Sequence, residues 1–232
     1  MKKIGLIGAM ESEISAFCRD FGAVETNIKG IYLGKYNGYE IYICVSGIGK
    51  VNAAIAAQRL ADVFGVECII NSGVAGGVSD KLQKLDIVIS ERLTYHDFDP
   101  LDILDRNPPY TKFFAADKEL SERAKKARGV LNEKLEKDGK QTFCAHYGTI
   151  VSGDCFVSSA AKAKQLRDDF DALCTEMEGA AIAHTAYVNK IPFIIIRAIS
   201  DFADEDAESS FDSFENVAAD RAAFLVKEML SV

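Results

Sequence analysis

The chain has 232 residues, of which 48% are hydrophobic, and a formal net charge of −8 at pH 7. This length suits one domain with a substantial core, and the acidic balance argues against nucleic acid or anionic lipid as a partner. The longest apolar stretch near the C-terminus, Ile191 to Ile196, is far below the roughly 20 residues that a membrane span needs, so we expect a soluble protein.

The apolar pattern of the first half predicts strands that alternate with helices. Strands are predicted over Ile4–Ile7, Ile31–Tyr36, Glu40–Val45 and Cys68–Asn71, and helices over Glu11–Phe21 and Lys50–Phe64. Asn37-Gly38 is a strong hairpin turn between two of these strands, and a Gly-rich turn, Ser72–Gly77, is expected to end the last one.

In the second half the same alternation continues after one long irregular stretch, Asp97–Lys112, which contains Pro100, Pro108 and Pro109. A loop of that length in a compact domain is usually functional or interfacial. The predicted strands are Asp86–Ser90, Thr142–Val151, Leu173–Glu176 and Phe193–Ile199, and the predicted helices are Lys118–Leu135, Ala160–Phe170, Gly179–Asn189 and Phe214–Leu230.

These elements predict an α/β fold in which a central mixed sheet is flanked by helices on both faces. Pro and Gly clusters fall at element ends and no linker is evident, so residues 1–232 are expected to form a single domain. Ligands of such sheets bind beyond the carboxyl ends of the strands. The polar residues directly after the strands are therefore the candidates for a site.

Several common sites are excluded by their motifs. Ser46–Lys50 lacks the spacing of a phosphate loop, no dinucleotide fingerprint follows a strand, and no nucleophile elbow is present. The three histidines and six cysteines show no metal-ligand spacing, so we expect neither a metal nor a cofactor. Cys44, Cys68 and Cys174 lie in apolar runs and are expected to be buried reduced thiols, which fits the cytoplasm.

What remains is a set of carboxylates at strand ends, of which Glu13, Glu178 and Asp201 are the strongest candidates. An acid that directly abuts an apolar strand risks desolvation, and proteins usually keep such a group for a reason. For Glu11 and Glu176 a helix-capping role is the better interpretation. The residues alone leave a carboxylate-based active site and ordinary helix caps equally open.

Six segments in order along the chain resemble the bacterial 5′-methylthioadenosine/S-adenosylhomocysteine nucleosidases, which are members of the purine nucleoside phosphorylase superfamily. The resemblance extends from Lys3 to the final helix, and six segments in register are far more specific than any one. They are Ile7–Glu13, Ser46–Val51, Asn71–Gly77, Ser152–Asp154, Glu176–Glu178 and Arg197–Asp201.

The resemblance implies hydrolysis of the N-glycosidic bond of an adenine nucleoside, with Glu13 as the base that activates water. Asp201, beside Ser200, would protonate N7 of the purine, Glu178 would bind the ribose hydroxyls, and Arg197 would help to hold the water and Glu13. The other expected substrate contacts are Met10 and Met177 on the sugar, Phe156 and Val157 on adenine, Ile48 and Phe211 over the 5′ substituent, and Gly76 and Glu176.

Three alternatives remain at this stage. A purine nucleoside phosphorylase is disfavoured because Glu13 would repel phosphate, Arg197 is the only arginine in the matched segments, and Val74 stands where many relatives have a hydroxyl. A futalosine-type nucleosidase shares most motifs, and a non-enzymatic nucleoside receptor would not need a base for water. The resemblance also implies a homodimer in which loop 97–112 approaches the partner's 5′ pocket through Pro100, Leu101 and Leu104.

Overall fold

The computed structural model describes residues 2–137 and 142–232. Ten strands lie in these residues: β1 (Lys3–Gly8), β2 (Val24–Glu25), β3 (Ile31–Tyr36), β4 (Tyr39–Val45), β5 (Cys68–Gly77), β6 (Ile87–Tyr95), β7 (Phe114–Ala115), β8 (Ala145–Ser152), β9 (Ala172–Glu176) and β10 (Phe193–Asp201). The helices are α1 (Glu11–Asp20), α2 (Lys50–Arg59), α3 (Ile103–Arg106), α4 (Lys118–Lys137), α5 (Ala160–Phe170), α6 (Gly179–Val188) and α7 (Ala207–Met229), and a π-helical turn, Leu60–Phe64, extends α2.

The strands form one mixed sheet in the order β10-β6-β8-β9-β5-β1-β4-β3-β2, and β7 pairs with β6. Because β10 also pairs with β5, five strands close into a ring, and β1, β4, β3 and β2 extend from it. Pairing is parallel for β1 with β4 and β5, for β5 with β10, and for β8 with β6 and β9. β9 pairs antiparallel with β5 through residues at the carboxyl ends of both strands, so the carboxyl ends of the two parallel groups meet.

Two apolar cores lie on opposite faces of the sheet. On one face α1, α4 and α7 pack their buried side chains against the strands, and on the other face α2 and α6 do so. Leu6 is fully buried in one core and Ile195 in the other, so strand residues are buried on both faces of the sheet. A strand that is buried on both faces shows little alternation of apolar and polar residues. The predicted α/β fold with a mixed sheet and helices on both faces is confirmed.

Three predicted boundaries were wrong, those of the fifth strand, the sixth strand and the final helix. Ser72–Gly77 is not a turn, because β5 runs on to Gly77 and pairs with β10 and β9 along that stretch. The final helix begins at Ala207 rather than Phe214, so Phe211 lies within it. Strand β6 also continues five residues past the predicted end at Ser90, to Tyr95.

Two leucines of loop 97–112, which were expected near a partner's pocket, differ in their burial. The short helix α3 turns Leu104 into the chain's own core, and Leu101 packs partly against the same core. The burial of Leu104 disagrees with the expected contact, whereas the contact expected of Leu101 stays a prediction. The exposed apolar side chains of this loop are Phe98, Ile103 and Tyr110. Within the described residues, no helix combines the length and the apolar character needed to cross a bilayer.

Candidate active site

A cavity of about 610 Å³, its open mouth included, lies at the carboxyl ends of the strands. Twelve of the thirteen residues expected in the site line it, and Arg197 is the exception. They are Met10, Glu13, Ile48, Gly76, Phe156, Val157, Glu176, Met177, Glu178, Ser200, Asp201 and Phe211.

Glu13 lies in the first turn of α1 and is buried, with both carboxylate oxygens bound by backbone N–H groups. Oε2 accepts hydrogen bonds from Ala9 at 2.6 Å and Met10 at 3.2 Å, and Oε1 accepts one from Val74 at 2.9 Å. Burial raises the pKa of Glu13, although the nearby Arg197 and the three N–H donors oppose this. The result is a fixed carboxylate whose basicity is increased by its surroundings.

Two glycines of β5 make room for the carboxylates. A Cβ atom at Gly73 would lie 2.2 Å from Oε1 of Glu13, and one at Gly76 would lie 2.8 Å from Oδ1 of Asp201. Real side-chain carbons do not approach that closely. The Gly-rich end of this strand is therefore needed for close approach of the acids to the backbone, rather than for a turn.

Asp201 ends β10 and is only 2% exposed. Its Oδ2 accepts a hydrogen bond from the Ser200 hydroxyl at 2.7 Å, and its Oδ1 accepts one from the Ala203 N–H at 2.9 Å. Burial raises the pKa of Asp201 despite these donors. A carboxyl group of this kind holds a proton more strongly than an exposed aspartate, as a general acid requires.

Glu178 also lines the cavity and is the residue that directly precedes α6. Its Oε1 accepts a hydrogen bond from the N–H of Gly49 at 2.8 Å, which joins it to the segment between β4 and α2. Burial, and then the negative charge of Glu176, raise the pKa of Glu178. Because Glu178 lines the cavity, its carboxyl group can bind hydroxyl groups of a ligand.

Arg197 lies beneath the cavity, and its hydrogen bonds differ from the expectation that it would hold Glu13. The guanidinium forms a buried ion pair with Glu176 and donates to Oδ1 of Asn71 at 2.6 Å. Its influence on Glu13 is through charge alone. Among the described residues, its buried Nε has no hydrogen-bond partner.

Glu176 serves the helix-capping role that the sequence favoured. Its Oε2 accepts hydrogen bonds from the N–H groups of Glu178 and Gly179 at the start of α6, at 3.2 and 2.7 Å, and it also pairs with Arg197. Its Oε1 accepts a hydrogen bond from the Ser152 hydroxyl. Although Glu176 borders the cavity, its oxygens are engaged by the protein, and this works against a direct contact with a ligand.

Aromatic and aliphatic side chains form the rest of the wall. Phe156 and Phe211 meet edge to face with their ring centroids 5.9 Å apart, and Phe156 is 44% exposed at the cavity mouth. The sequence interpretation omitted Ala9, Ala75, Cys155 and Thr175, which also line the cavity. Their positions directly beside the predicted strand ends could have identified them, but their side chains carry no distinctive chemistry.

Three cysteines and two histidines lie away from the cavity, in ordinary surroundings. Cys44, Cys68 and Cys174 are buried free thiols, as predicted. His184 hydrogen-bonds the Tyr95 hydroxyl at 3.0 Å, and His146 lies 3.1 Å from Asp86. None of these side chains lines the cavity.

Comparison with known proteins gives one consistent result. The family described as "Phosphorylase superfamily" matches residues 3–231. A 5′-methylthioadenosine/S-adenosylhomocysteine nucleosidase from Listeria monocytogenes serotype 4a is 39% identical over 98% of both chains. The structure of the enzyme of that name from Neisseria meningitidis, in complex with methylthio-immucillin-A, has a TM-score of 0.89 at 37% identity over 100% of both chains. A futalosine hydrolase mutant from Helicobacter pylori has a TM-score of 0.88 at 31% identity, covering 100% of this chain and 99% of that one.

Proposed function

Since this chain belongs to the phosphorylase superfamily and to the family of 5′-methylthioadenosine/S-adenosylhomocysteine nucleosidases, we propose that it hydrolyses the N-glycosidic bond of these two nucleosides. The six matched segments indicated the same family. The observation that carries the proposal is a single cavity that has the buried carboxyl groups of Glu13 and Asp201 on its walls. Such a cavity can place a base toward water and an acid toward a purine around one sugar.

In the proposed reaction the C1′–N9 bond breaks and its electron pair moves onto the purine, which takes a proton at N7 from Asp201. The oxygen of water forms the new bond to C1′, and Glu13 accepts the proton that this water loses. The products are adenine and the 5′-substituted ribose. Glycosidases solve the same problem of a cationic sugar with one acid and one base, and each such group typically contributes about 100- to 10,000-fold.

The surroundings of each acid support its role. Burial raises the pKa of Asp201, which favours the protonated form that the leaving purine needs. Three backbone N–H groups hold the Glu13 carboxylate in place for a water molecule, and the positive charge of Arg197 acts on this carboxylate. Ribose hydroxyls that donate to Glu178 would favour its ionised form against the raised pKa, and that negative charge would stabilise the positive charge as it grows.

Hydrolysis is favoured over phosphorolysis by the charges around the cavity. Glu13, Glu176 and Glu178 all act on the buried guanidinium of Arg197. Its Nη2 is already bound to Glu176 and Asn71, and its Nη1 donates to the Ile196 carbonyl at 3.2 Å. Three carboxyl groups against one engaged cation disfavour a phosphate ion beside the sugar. Val74 contributes its backbone N–H to Glu13 and has no hydroxyl to offer phosphate.

The test is chromatography of the nucleoside and free base after incubation with enzyme, with and without phosphate. We expect release of adenine from 5′-methylthioadenosine and S-adenosylhomocysteine at the same rate in both conditions, with 5′-deoxyadenosine and futalosine as further substrates to rank. Strict dependence on phosphate, with a sugar 1-phosphate as product, would instead identify a phosphorylase. Binding without turnover would identify a receptor.

We further propose that the protein is a cytoplasmic homodimer that acts in methionine salvage, with residues 1–232 as one nucleoside phosphorylase-like domain. Free buried thiols suit a reducing compartment, and one continuous sheet suits a single domain. An apolar surface on α2 and α6, formed by Val51, Ile55 and Val188, is suited to a partner subunit. The exposed Phe98, Ile103 and Tyr110 of loop 97–112 extend this apolar character.

A further inference from the structure

Three charged residues outside the reacting groups form a closed ring at the rim of the cavity. The Nζ of Lys50 lies 2.6 and 2.7 Å from the two carboxylate oxygens of Asp97. The backbone N–H of Asp154 donates to Asp97 at 2.8 Å, and the backbone N–H of Lys50 donates to the Asp154 carboxylate at 2.8 Å. Each residue is thus joined directly to the other two, and we name this set the rim clamp.

The rim clamp joins three segments that follow different strands. Lys50 begins α2 directly after Ile48 and Gly49, which line the cavity and bind Glu178, respectively. Asp154 directly precedes the cavity-lining segment 155–157. Asp97 is the first residue of loop 97–112. The ring therefore links the segment after β4, on the 5′ and ribose side of the cavity, to the segment after β8, on the adenine side.

The charges of the rim clamp fit each other. Partial burial of Asp97 opposes its ionisation, but the hydrogen bonds from Lys50 and Asp154 outweigh this and lower its pKa. The Asp154 carboxylate receives the first N–H of α2, a group that has no partner within the helix and lies at its positive end. The ammonium group of Lys50 also lies 5.6 Å from the centre of the Tyr95 ring.

We propose that Lys50, Asp97 and Asp154 are positioning residues that set nucleoside affinity by holding the two sides of the cavity at the correct separation. None of the three lines the cavity or bonds to Glu13 or Asp201. Breaking the ring should therefore weaken binding while the acid and the base keep their geometry. This role in turnover rests on the proposed function, whereas the mechanical coupling of segments 46–51 and 152–157 does not.

The test compares Lys50→Met with Lys125→Met, which removes an exposed pair with Glu122 that is also 2.6 Å long. We expect Lys50→Met to raise the KM for 5′-methylthioadenosine about tenfold and to change kcat less than about threefold. Lys50→Arg should stay within about twofold of wild type, because a guanidinium can bind both oxygens of Asp97. Asp97→Asn should match Lys50→Met, and the double variant should be no worse than either, because one break opens the ring.

Hydrogen exchange provides a readout that does not depend on turnover. In Lys50→Met, peptides over 46–51 and 152–157 should both exchange faster than in wild type, whereas Lys125→Met should alter neither. Exchange that rises in only one segment, an unchanged KM, or a fall in kcat without a rise in KM would overturn the rim clamp. If wild-type enzyme released no adenine, the proposed function would fail, and the exchange result would still decide whether the ring couples the two segments.

Discussion

Replacement of Gly73 by alanine tests the position of Glu13 without changing any reacting group. The new methyl carbon would lie 2.2 Å from Oε1 and 2.8 Å from Cδ of Glu13, whereas ordinary contacts begin at 3.4 Å. The carboxylate must retreat by about 1 Å, and a displacement of that size at a catalytic group can cost on the order of 100-fold in rate. We therefore expect kcat/KM for adenine release to fall by about 100-fold.

The same displacement has a cost in stability. It weakens the 2.9 Å hydrogen bond from the Val74 N–H to Glu13, and a buried bond to a charged group is worth about 2 kcal/mol. For a chain of this size that corresponds to a decrease in Tm of about 4–8 °C, so the variant should still be folded at assay temperature. Circular dichroism and adenine release are measured on the same preparation.

Gly129→Ala is the matched control, because a Cβ atom at this position of α4 meets nothing within 4 Å. Alanine in a helix interior is favoured over glycine by about 0.5–1 kcal/mol, so the control should keep full activity and a Tm at or above that of wild type. If folded Gly73→Ala retained kcat/KM within about threefold of wild type, Glu13 would not be the base that its geometry indicates.

Three further predictions concern acid chemistry, the buried ion pair and assembly. Burial raises the pKa of Asp201, so the folded protein holds this proton more tightly than the unfolded chain and loses that stabilisation as pH rises through the folded-state pKa. The Tm of Asp201→Asn relative to wild type should therefore be higher at pH 8 than at pH 5, and a difference of the opposite sign would contradict the raised pKa. The side chains of Arg197 and Glu176 are 2% and 3% exposed, so Arg197→Met should lower the free energy of unfolding in urea by about 3–5 kcal/mol, and an unchanged unfolding midpoint would contradict this. Arg19→Met, at an exposed pair, is its control and should cost less than about 1 kcal/mol. Val51 is 69% exposed, so Val51→Asp should reduce the molar mass measured by light scattering from twice to once the 25.3 kDa of the chain, whereas a wild-type protein that is already monomeric would refute the dimer.

The sequence was most informative where ionisable side chains follow directly after predicted strands. Apolar runs located β1, β4, β5 and β10, and parallel strands place their carboxyl ends at one edge, so Glu13 and Asp201 could be grouped from the sequence, whereas Glu178 follows β9, which pairs antiparallel with β5. The resemblance of the six segments then supplied roles that residue spacing alone left open.

Other features depend on contacts between distant parts of the chain. Glycines in Ser72–Gly77 favour a turn locally, but pairing with β10 and β9 keeps that stretch extended. The pairing of Arg197 with Glu176 joins residues on two strands, and no sequence pattern distinguishes it from a contact with Glu13. Leu104 turns inward because of one short helix, whose four residues are too few to give a periodic pattern.

The assignment of Asp201 as the acid and Glu13 as the base is tested most directly with a leaving group that needs no proton. A p-nitrophenyl glycoside of 5-methylthioribose releases p-nitrophenolate without acid assistance, but it still requires an activated water. We expect Asp201→Asn to lose adenine release by at least about 100-fold and to cleave the p-nitrophenyl substrate at nearly the wild-type rate, whereas Glu13→Gln should lose both activities. Equal loss of both substrates in Asp201→Asn, or normal turnover in Glu13→Gln, would contradict the assignment of acid and base.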